Sequence, residues 1–218
     1  MLPAVDKTST PTNNSPADEK PWETIEAEVL DALLAARLAP SDVATRLATR
    51  ASQYKGKTYQ PPDNARPRQT KEGASAVKDA IQWLQKCEAA GELDKAGEGL
   101  RLAAEDHAVD VGGAGVASHR GGDDSRPEDR ATRYGKWKGA VGECIWYGRA
   151  TTGAQVVEDL IVDDGVRDCV KTNQCVGCTR QFFTKSYHCD GAAVLAPSSG
   201  EEPAPPRKRA GVASMACR

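Results

Sequence analysis

Residues 99–148 read GLRLAAEDHAVDVGGAGVASHRGGDDSRPEDRATRYGKWKGAVGECIWYG, and this segment carries the clearest structural signals of the chain. Its first part has apolar residues at three- and four-residue spacings, which is typical of a helix with one buried face. The glycine-rich residues 112–142 predict a loop that carries His119. Residues 144–147, bounded by glycines, predict a short strand. A helix, a histidine loop and a strand therefore follow one another here.

Four further helices are predicted outside this stretch. An apolar stripe over residues 25–38 predicts the first, and Pro40 ends it and begins the second. Residues 71–89 carry a third stripe. Thr152 is a plausible N-cap for the last helix, and Gly165 is a plausible end for it. The chain between the tails is therefore mostly helical.

The two ends of the chain have little to bury. Residues 1–21 are rich in Pro, Thr, Ser and Asn, and residues 191–218 are similar, so we expect disordered tails around one domain at residues 22–190. The first segment has no apolar run of roughly 7–15 residues behind a basic start, so no secretory signal is visible.

Charge and hydropathy exclude several classes of partner. The net charge of -2 is too balanced to favour a nucleic-acid or membrane surface by bulk electrostatics. No apolar run approaches the roughly 20 residues of a membrane span.

The polar residues of the central stretch give a first candidate site. His119 lies in a glycine-rich loop, and Glu143 lies at the entrance of the predicted strand. Neutral imidazole is a good ligand for zinc, and a carboxylate supplies charge that retains such an ion. On spacing alone, a solvated loop histidine is the commoner case. His107 shares the apolar side of its helix, where a hydrogen-bonded, half-buried histidine is expected rather than a ligand.

Several blocks of residues 22–166 match one family in order and spacing. They are an AA-x-x-H helix step, a Ser-His-x-Gly turn, an Asp-Arg-x-x-Arg-Tyr-Gly-x-Trp stretch, a Gly-Glu strand start and the helix VVEDLIVDDGV. These blocks resemble a CAP-superfamily domain, the cysteine-rich secretory, antigen 5 and pathogenesis-related fold, in its bacterial and protist form. The resemblance implies an α+β fold, a three-layer α-β-α sandwich with a small antiparallel sheet. Its closing C-terminal strands are not recognisable in the sequence.

The resemblance also implies a cleft. His119 matches the first family histidine and Glu143 the family glutamate, and Asp163 is a weaker match that Asp164 can replace. These residues would hold a divalent metal such as zinc, with His119 and Glu143 as the principal ligands. Residues 165–169 read GVRDC where the family has Gly-His-Arg, so the second family histidine is absent. We therefore expect a degenerate site.

Seven cysteines include a cluster near the C-terminus: Cys169, Cys175, Cys178 and Cys189. We expect unpaired thiols first, and disulfides second if the chain is exported. Structural zinc is the third interpretation, since the Cys-Val-Gly-Cys step with His188 nearby is compatible with it.

The resemblance implies a monomeric, non-enzymatic binding or signalling module. Its ligands would be lipids such as sterols, other small molecules or divalent metals, and its location extracellular. The lack of a visible signal leaves a cytoplasmic location open. The alternatives are a metal-dependent, protease-like hydrolase using His119 and Glu143, or a truncated inactive paralogue.

Basic residues alternate with Tyr134 and Trp137, as in nucleic-acid stacking surfaces. The resemblance places them in a structural loop, and no nucleic-acid partner is expected.

Overall fold

The computed structural model describes residues 22–62, 66–91, 98–114, 116, 118–137, 140–147, 152–165, 189–195 and 210–217. This part of the chain contains six helices: α1 Trp22–Leu38, α2 Pro40–Ala51, α3 Ala74–Leu84, α4 Glu98–Ala114, α5 Pro127–Tyr134 and α6 Gly153–Val162. Its strands are β1 Tyr54–Lys55, β2 Thr58–Tyr59, β3 Arg68–Gln69, β4 Ala140–Tyr147, β5 Cys189–Leu195 and β6 Ala210–Cys217. Helices combine with small antiparallel sheets, so the α+β class is confirmed.

Two predicted helix boundaries are confirmed. Pro40 is the first residue of α2, where the missing N–H of proline costs no intrahelical hydrogen bond. The Thr152 hydroxyl caps α6 by accepting a hydrogen bond from the Gln155 amide at 3.2 Å. The helix ends before Gly165, because Asp163 adopts the left-handed conformation at its C-cap. Local capping chemistry therefore fixes both ends of α6.

The loop predicted over residues 112–142 is wrong in one part, since α5 lies inside it. Pro127 occupies the first turn of α5, and the Asp129 carboxylate accepts a hydrogen bond from the Arg126 amide at 2.9 Å. These start signals outweigh the surrounding glycines. The prediction missed them because α5 has only eight residues. Its buried residues are Arg130 and Ala131, so it carries no apolar stripe.

The larger sheet has the strand order β4-β6-β5, and both of its pairs are antiparallel. Glu143 of β4 lies opposite Ser214 of β6, and a bulge separates Cys189 from Ala192 in β5. Strands therefore occupy parts of residues 191–218, where we expected only a tail. Their many small residues give weak strand signals, and the pairing of β6 with β4 and of β5 with β6 is not visible in the local sequence.

Alternate residues of β4 contact different helices. Cys144 and Trp146 belong to the main apolar cluster, which also includes Ile25 of α1 and Ile161 of α6. Ile145 packs instead against a second cluster of Ala104, Ala108 and Val111 in α4. This is the alternation expected of a strand whose two faces are both covered. It places Glu143 on the same side of β4 as Ile145.

The contact between α1 and α6 is unusually close at Gly153. A Cβ atom at this position would meet the backbone of Glu28 and Val29. The Gly153 amide donates to the Glu28 carboxylate at 3.0 Å, which adds a second acceptor at the start of α6. A larger residue would force the helices apart.

Candidate functional site

Glu143 is the centre of a buried polar cluster. Its side chain is 1% exposed, and both carboxylate oxygens are engaged. Oε1 lies 2.9 Å from Nδ1 of His119 and 3.5 Å from Nε2 of His107. Oε2 accepts a hydrogen bond from Nη2 of Arg130 at 2.6 Å. The strand thus provides one buried anion, which three side chains from outside the strand approach.

Arg130 reaches the cluster from α5. Its Nη1 donates to the Ser125 carbonyl at 2.9 Å, and its Nη2 lies 3.4 Å from the His119 carbonyl. The side chain is 2% exposed, so its charge requires the carboxylate of Glu143. The structural loop expected for the basic residues around Tyr134 is wrong at Arg130, which lies on α5, and the sequence did not indicate its role in the cluster. Its neighbour Arg133 on the same helix is exposed and pairs with Asp123.

His119 is the exposed member of the cluster, with 53% of its side chain accessible. A carboxylate paired with Arg130 can only accept, so Nδ1 of His119 is the donor to Glu143. This assignment leaves Nε2 as the ring nitrogen that is available to a ligand. A buried carboxylate that orients an imidazole in this way is the usual partner of metal-binding and catalytic histidines.

His107 lies on α4 and is fully buried, which corrects the expectation of a half-buried ring. The expected hydrogen bond is present. Nε2 is 2.9 Å from the Ser118 carbonyl, which can only accept, so Nε2 carries the proton. Burial lowers the pKa of His107, against the opposing effect of Glu143. Its Nδ1 is buried without a hydrogen-bond partner among the described residues.

The turn before His119 is held at several points. The Ser118 amide donates to the Tyr147 hydroxyl at 3.2 Å, while the Ser118 carbonyl accepts from His107. The Ser118 hydroxyl accepts from the Arg120 amide at 2.9 Å. Farther along the loop, the Asp110 carboxylate accepts from the Gly122 amide at 2.6 Å. Strand β4 and helix α4 therefore both contribute to the position of His119.

The predicted metal ligands are only partly brought together. His119 and Glu143 meet, but each carboxylate oxygen of Glu143 already has a partner, His119 on Oε1 and Arg130 on Oε2. Asp163 lies at the C-cap of α6. Across the described ranges, no group of three or more His, Cys, Asp or Glu side chains is arranged to hold a metal ion. The expected three-ligand set is therefore not assembled there.

Asp164, the suggested substitute for Asp163, has another role. Its carboxylate accepts hydrogen bonds from the amides of Lys71 at 2.7 Å and Glu72 at 2.8 Å. The Glu72 carboxylate in turn accepts from the Gly165 amide at 2.7 Å. These hydrogen bonds connect the segment that follows α6 to the segment that precedes α3, so Asp164 has a structural role.

The cysteine cluster falls mostly outside the described residues. Cys169, Cys175 and Cys178 are not described, and Cys189 is described only as the first residue of β5. Cys144 of β4 is buried in the main apolar cluster and is part of the core.

A second carboxylate, Asp159 of α6, also lies among polar side chains. Its Oδ1 accepts from Arg50, and its Oδ2 accepts from Nε1 of Trp146 at 3.1 Å and from Arg68 at 3.3 Å. The Arg50 and Arg68 guanidinium carbons lie 4.9 and 5.0 Å from the centre of the Tyr59 ring. Cation–π contact thus accompanies the ion pairs.

Comparison with protein-family models, with curated proteins and with solved structures finds no match. The CAP resemblance therefore rests on the motif blocks themselves. In the described part of the chain, no helix combines the length and apolarity needed to cross a membrane.

Proposed function

We propose that this chain is a CAP-type domain, a three-layer α-β-α sandwich that acts as a non-enzymatic binding module outside the cell. The motif blocks support the family. The alternation along β4 supports the layers, because Cys144 and Trp146 contact one group of helices while Ile145 contacts α4. Strand β6 pairs with β4, and β5 pairs with β6, so the sheet extends beyond β4, which favours a working domain over a truncated paralogue.

The orientation of His119 carries the functional part of the proposal. Its Nδ1 is engaged by Glu143 at 2.9 Å, while the side chain is 53% exposed. A ring fixed in this way loses little rotational entropy when Nε2 meets a ligand. Nε2 can accept a hydrogen bond from a lipid or sterol hydroxyl or from another small molecule, or it can coordinate a divalent cation such as zinc. Because Nε2 of His119 would be the single protein ligand of such a cation, we expect its affinity for metal to be weak.

A metal-dependent hydrolase is the second candidate, and the same His119–Glu143 pair favours it. Such an enzyme requires both groups near one bound water. Glu143 is poorly suited to that task, because its side chain is 1% exposed and both of its oxygens have partners. The binding module therefore agrees better with the geometry.

The test follows the imidazole signals of the full chain by NMR during titration with zinc ions and, separately, with sterol-containing phosphatidylcholine vesicles. The chain has three histidines, so His188→Ala is a matched control for His119→Ala. We expect one probe to shift the His119 signal in the wild type and in His188→Ala. Observing the His119 ring itself keeps zinc bound by cysteines from being mistaken for this site.

Hydrolysis assays separate the two candidates. Peptide and ester libraries are tested with and without zinc on the wild type and on folded His119→Ala. We expect no turnover from either protein. A hydrolytic activity that disappears in folded His119→Ala would overturn the binding module, and a His119 signal unmoved by either probe would remove His119 as its contact.

A further inference from the structure

His107 is the buried titratable group that the proposed function does not use. It is 0% exposed, yet its imidazole contacts polar groups on two neighbouring segments. Nε2 donates to the Ser118 carbonyl at 2.9 Å and lies 3.5 Å from Oε1 of Glu143. A buried polar ring that served only to fill space would be better replaced by leucine, because burying a polar group costs free energy.

Ser118 immediately precedes His119 and is held from both sides. Its carbonyl accepts from His107, and its amide donates to the Tyr147 hydroxyl at 3.2 Å. One partner comes from α4 and the other from the end of β4. Because both main-chain polar groups of Ser118 are fixed, the backbone entering His119 has little freedom to rotate.

Oε1 of Glu143 accepts from Nδ1 of His119 at 2.9 Å, and Nε2 of His107 lies 3.5 Å from the same oxygen. Arg130 holds the other oxygen at 2.6 Å. With Oε2 fixed, the direction of Oε1 decides where the Nδ1–H of His119 must point. His107 therefore approaches both the backbone that leads to His119 and the acceptor that orients its ring.

We propose that His107 is a positioning residue for His119, acting through the Ser118 carbonyl and the Glu143 carboxylate, with Tyr147 holding the other side of Ser118. This inference deepens the proposed function and rests on it for its biological meaning. Its geometric content concerns the free protein, so it can be tested without any ligand.

The experiment compares His107→Gln, His107→Leu and Tyr147→Phe with the wild type. Glutamine offers an amide N–H near the position of Nε2, whereas leucine offers none. The readout is the hydrogen-bonded Nδ1–H resonance of His119 in imidazole-labelled full-length protein. A second readout is the rate at which diethyl pyrocarbonate modifies His119, and urea unfolding reports stability alongside both.

We expect His107→Leu to abolish the slowly exchanging Nδ1–H resonance and to change the His119 modification rate at least threefold. His107→Gln should restore both towards the wild type, and Tyr147→Phe should weaken the resonance without removing it. A folded His107→Leu with an unchanged resonance would overturn the proposal, as would equal effects of leucine and glutamine. If His107→Leu fails to fold, an unchanged resonance in folded Tyr147→Phe overturns it instead.

These outcomes are independent of the search for a ligand. A protein that binds neither zinc nor vesicles can still show the rescue by glutamine, in which case the proposed function fails and the positioning role stands. Conversely, if the protein binds a ligand but the His119 resonance is the same in all His107 variants, the proposed function stands and the positioning role of His107 fails.

Discussion

Two carboxylates, Glu143 of β4 and Asp159 of α6, accept hydrogen bonds from arginine, yet only one of them supports a site. Asp159 accepts from the guanidinium groups of Arg50 and Arg68 and from the indole N–H of Trp146. Glu143 accepts from Arg130 and from the ring of His119, and His107 lies 3.5 Å from its Oε1. Both carboxylates have cationic partners away from bulk water, but only Glu143 also orients an exposed imidazole.

An arginine–carboxylate pair is therefore poor evidence of function by itself. In the Asp159 cluster the guanidinium groups stack on Tyr59 and link α2, β2, β3 and α6. The Asp159 cluster therefore stabilises the packing of these elements. In the Glu143 cluster the ring of His119 extends from the buried ion pair to the surface, with 53% of its side chain exposed. The exposed ring is what separates a candidate site from a structural ion pair.

Removing Arg130 is the largest expected perturbation. Arg130→Met leaves Glu143 buried with no full positive charge, and we expect the free energy of unfolding to fall by about 3–5 kcal/mol. Urea unfolding measures the change. Arg133→Met is the matched control on the same helix, where the exposed pairs with Asp123 and Asp106 predict a much smaller loss. Equal losses in the two variants would contradict the buried role of Arg130.

Asp159→Asn tests the structural cluster. The change removes the anion that Arg50 and Arg68 share, and we expect a loss of about 1.5–3 kcal/mol in the free energy of unfolding. The His119 Nδ1–H resonance should remain unchanged. Glu158→Gln is the neighbouring control, since its partner Arg46 is largely exposed. A disturbed His119 signal in Asp159→Asn would show that the two clusters are coupled, and the contrast between them would fail.

The helices were predictable because their signals are local. The stripe of α1, the proline that opens α2 and the threonine that caps α6 each act within one or two turns. Helix α5 was missed because its buried residues are Arg130 and Ala131 rather than an apolar stripe. Strands β5 and β6 were missed because small residues give them no strong alternation, and because β6 pairs with β4, which is distant in the chain.

The site was predictable only in part for a similar reason. The motif blocks identified His119 and Glu143, and the structure joins them at 2.9 Å. That Glu143 orients His119 instead of binding a ligand depends on Arg130 and His107. Their approach is set by the packing of α4 and α5 around β4, which spacing in the sequence does not report.

The pH dependence of stability should also differ between the Glu143 and Asp159 clusters, because only the Glu143 cluster contains a buried histidine. Burial lowers the pKa of His107 below its unfolded value of about 6.5, although Glu143 and Asp110 oppose this effect and Arg130 reinforces it. As pH falls below about 6.5, His107 becomes protonated in the unfolded chain but stays neutral in the folded chain, so the free energy of unfolding decreases. The contribution approaches about 1.4 kcal/mol per pH unit.

Urea unfolding at pH 7.5, 6.5 and 5.5 measures this contribution. His107→Gln should unfold with a shallower dependence on pH over that range, while Asp159→Asn should keep the slope of the wild type. A wild-type slope that His107→Gln reproduces would assign the acid sensitivity to other groups.

Removing His119 should have the smallest effect on stability. His119→Ala leaves Glu143 with Arg130 and His107, and water can reach the vacated position because the ring is 53% exposed. We expect the free energy of unfolding to fall by less than about 1 kcal/mol, as is usual for exposed ion pairs. A loss comparable to that of Arg130→Met would mean that His119 is needed to close the buried cluster. The Glu143 cluster would then serve the stability of the fold, as the Asp159 cluster does, and His119 would be a structural residue and not a binding-site residue.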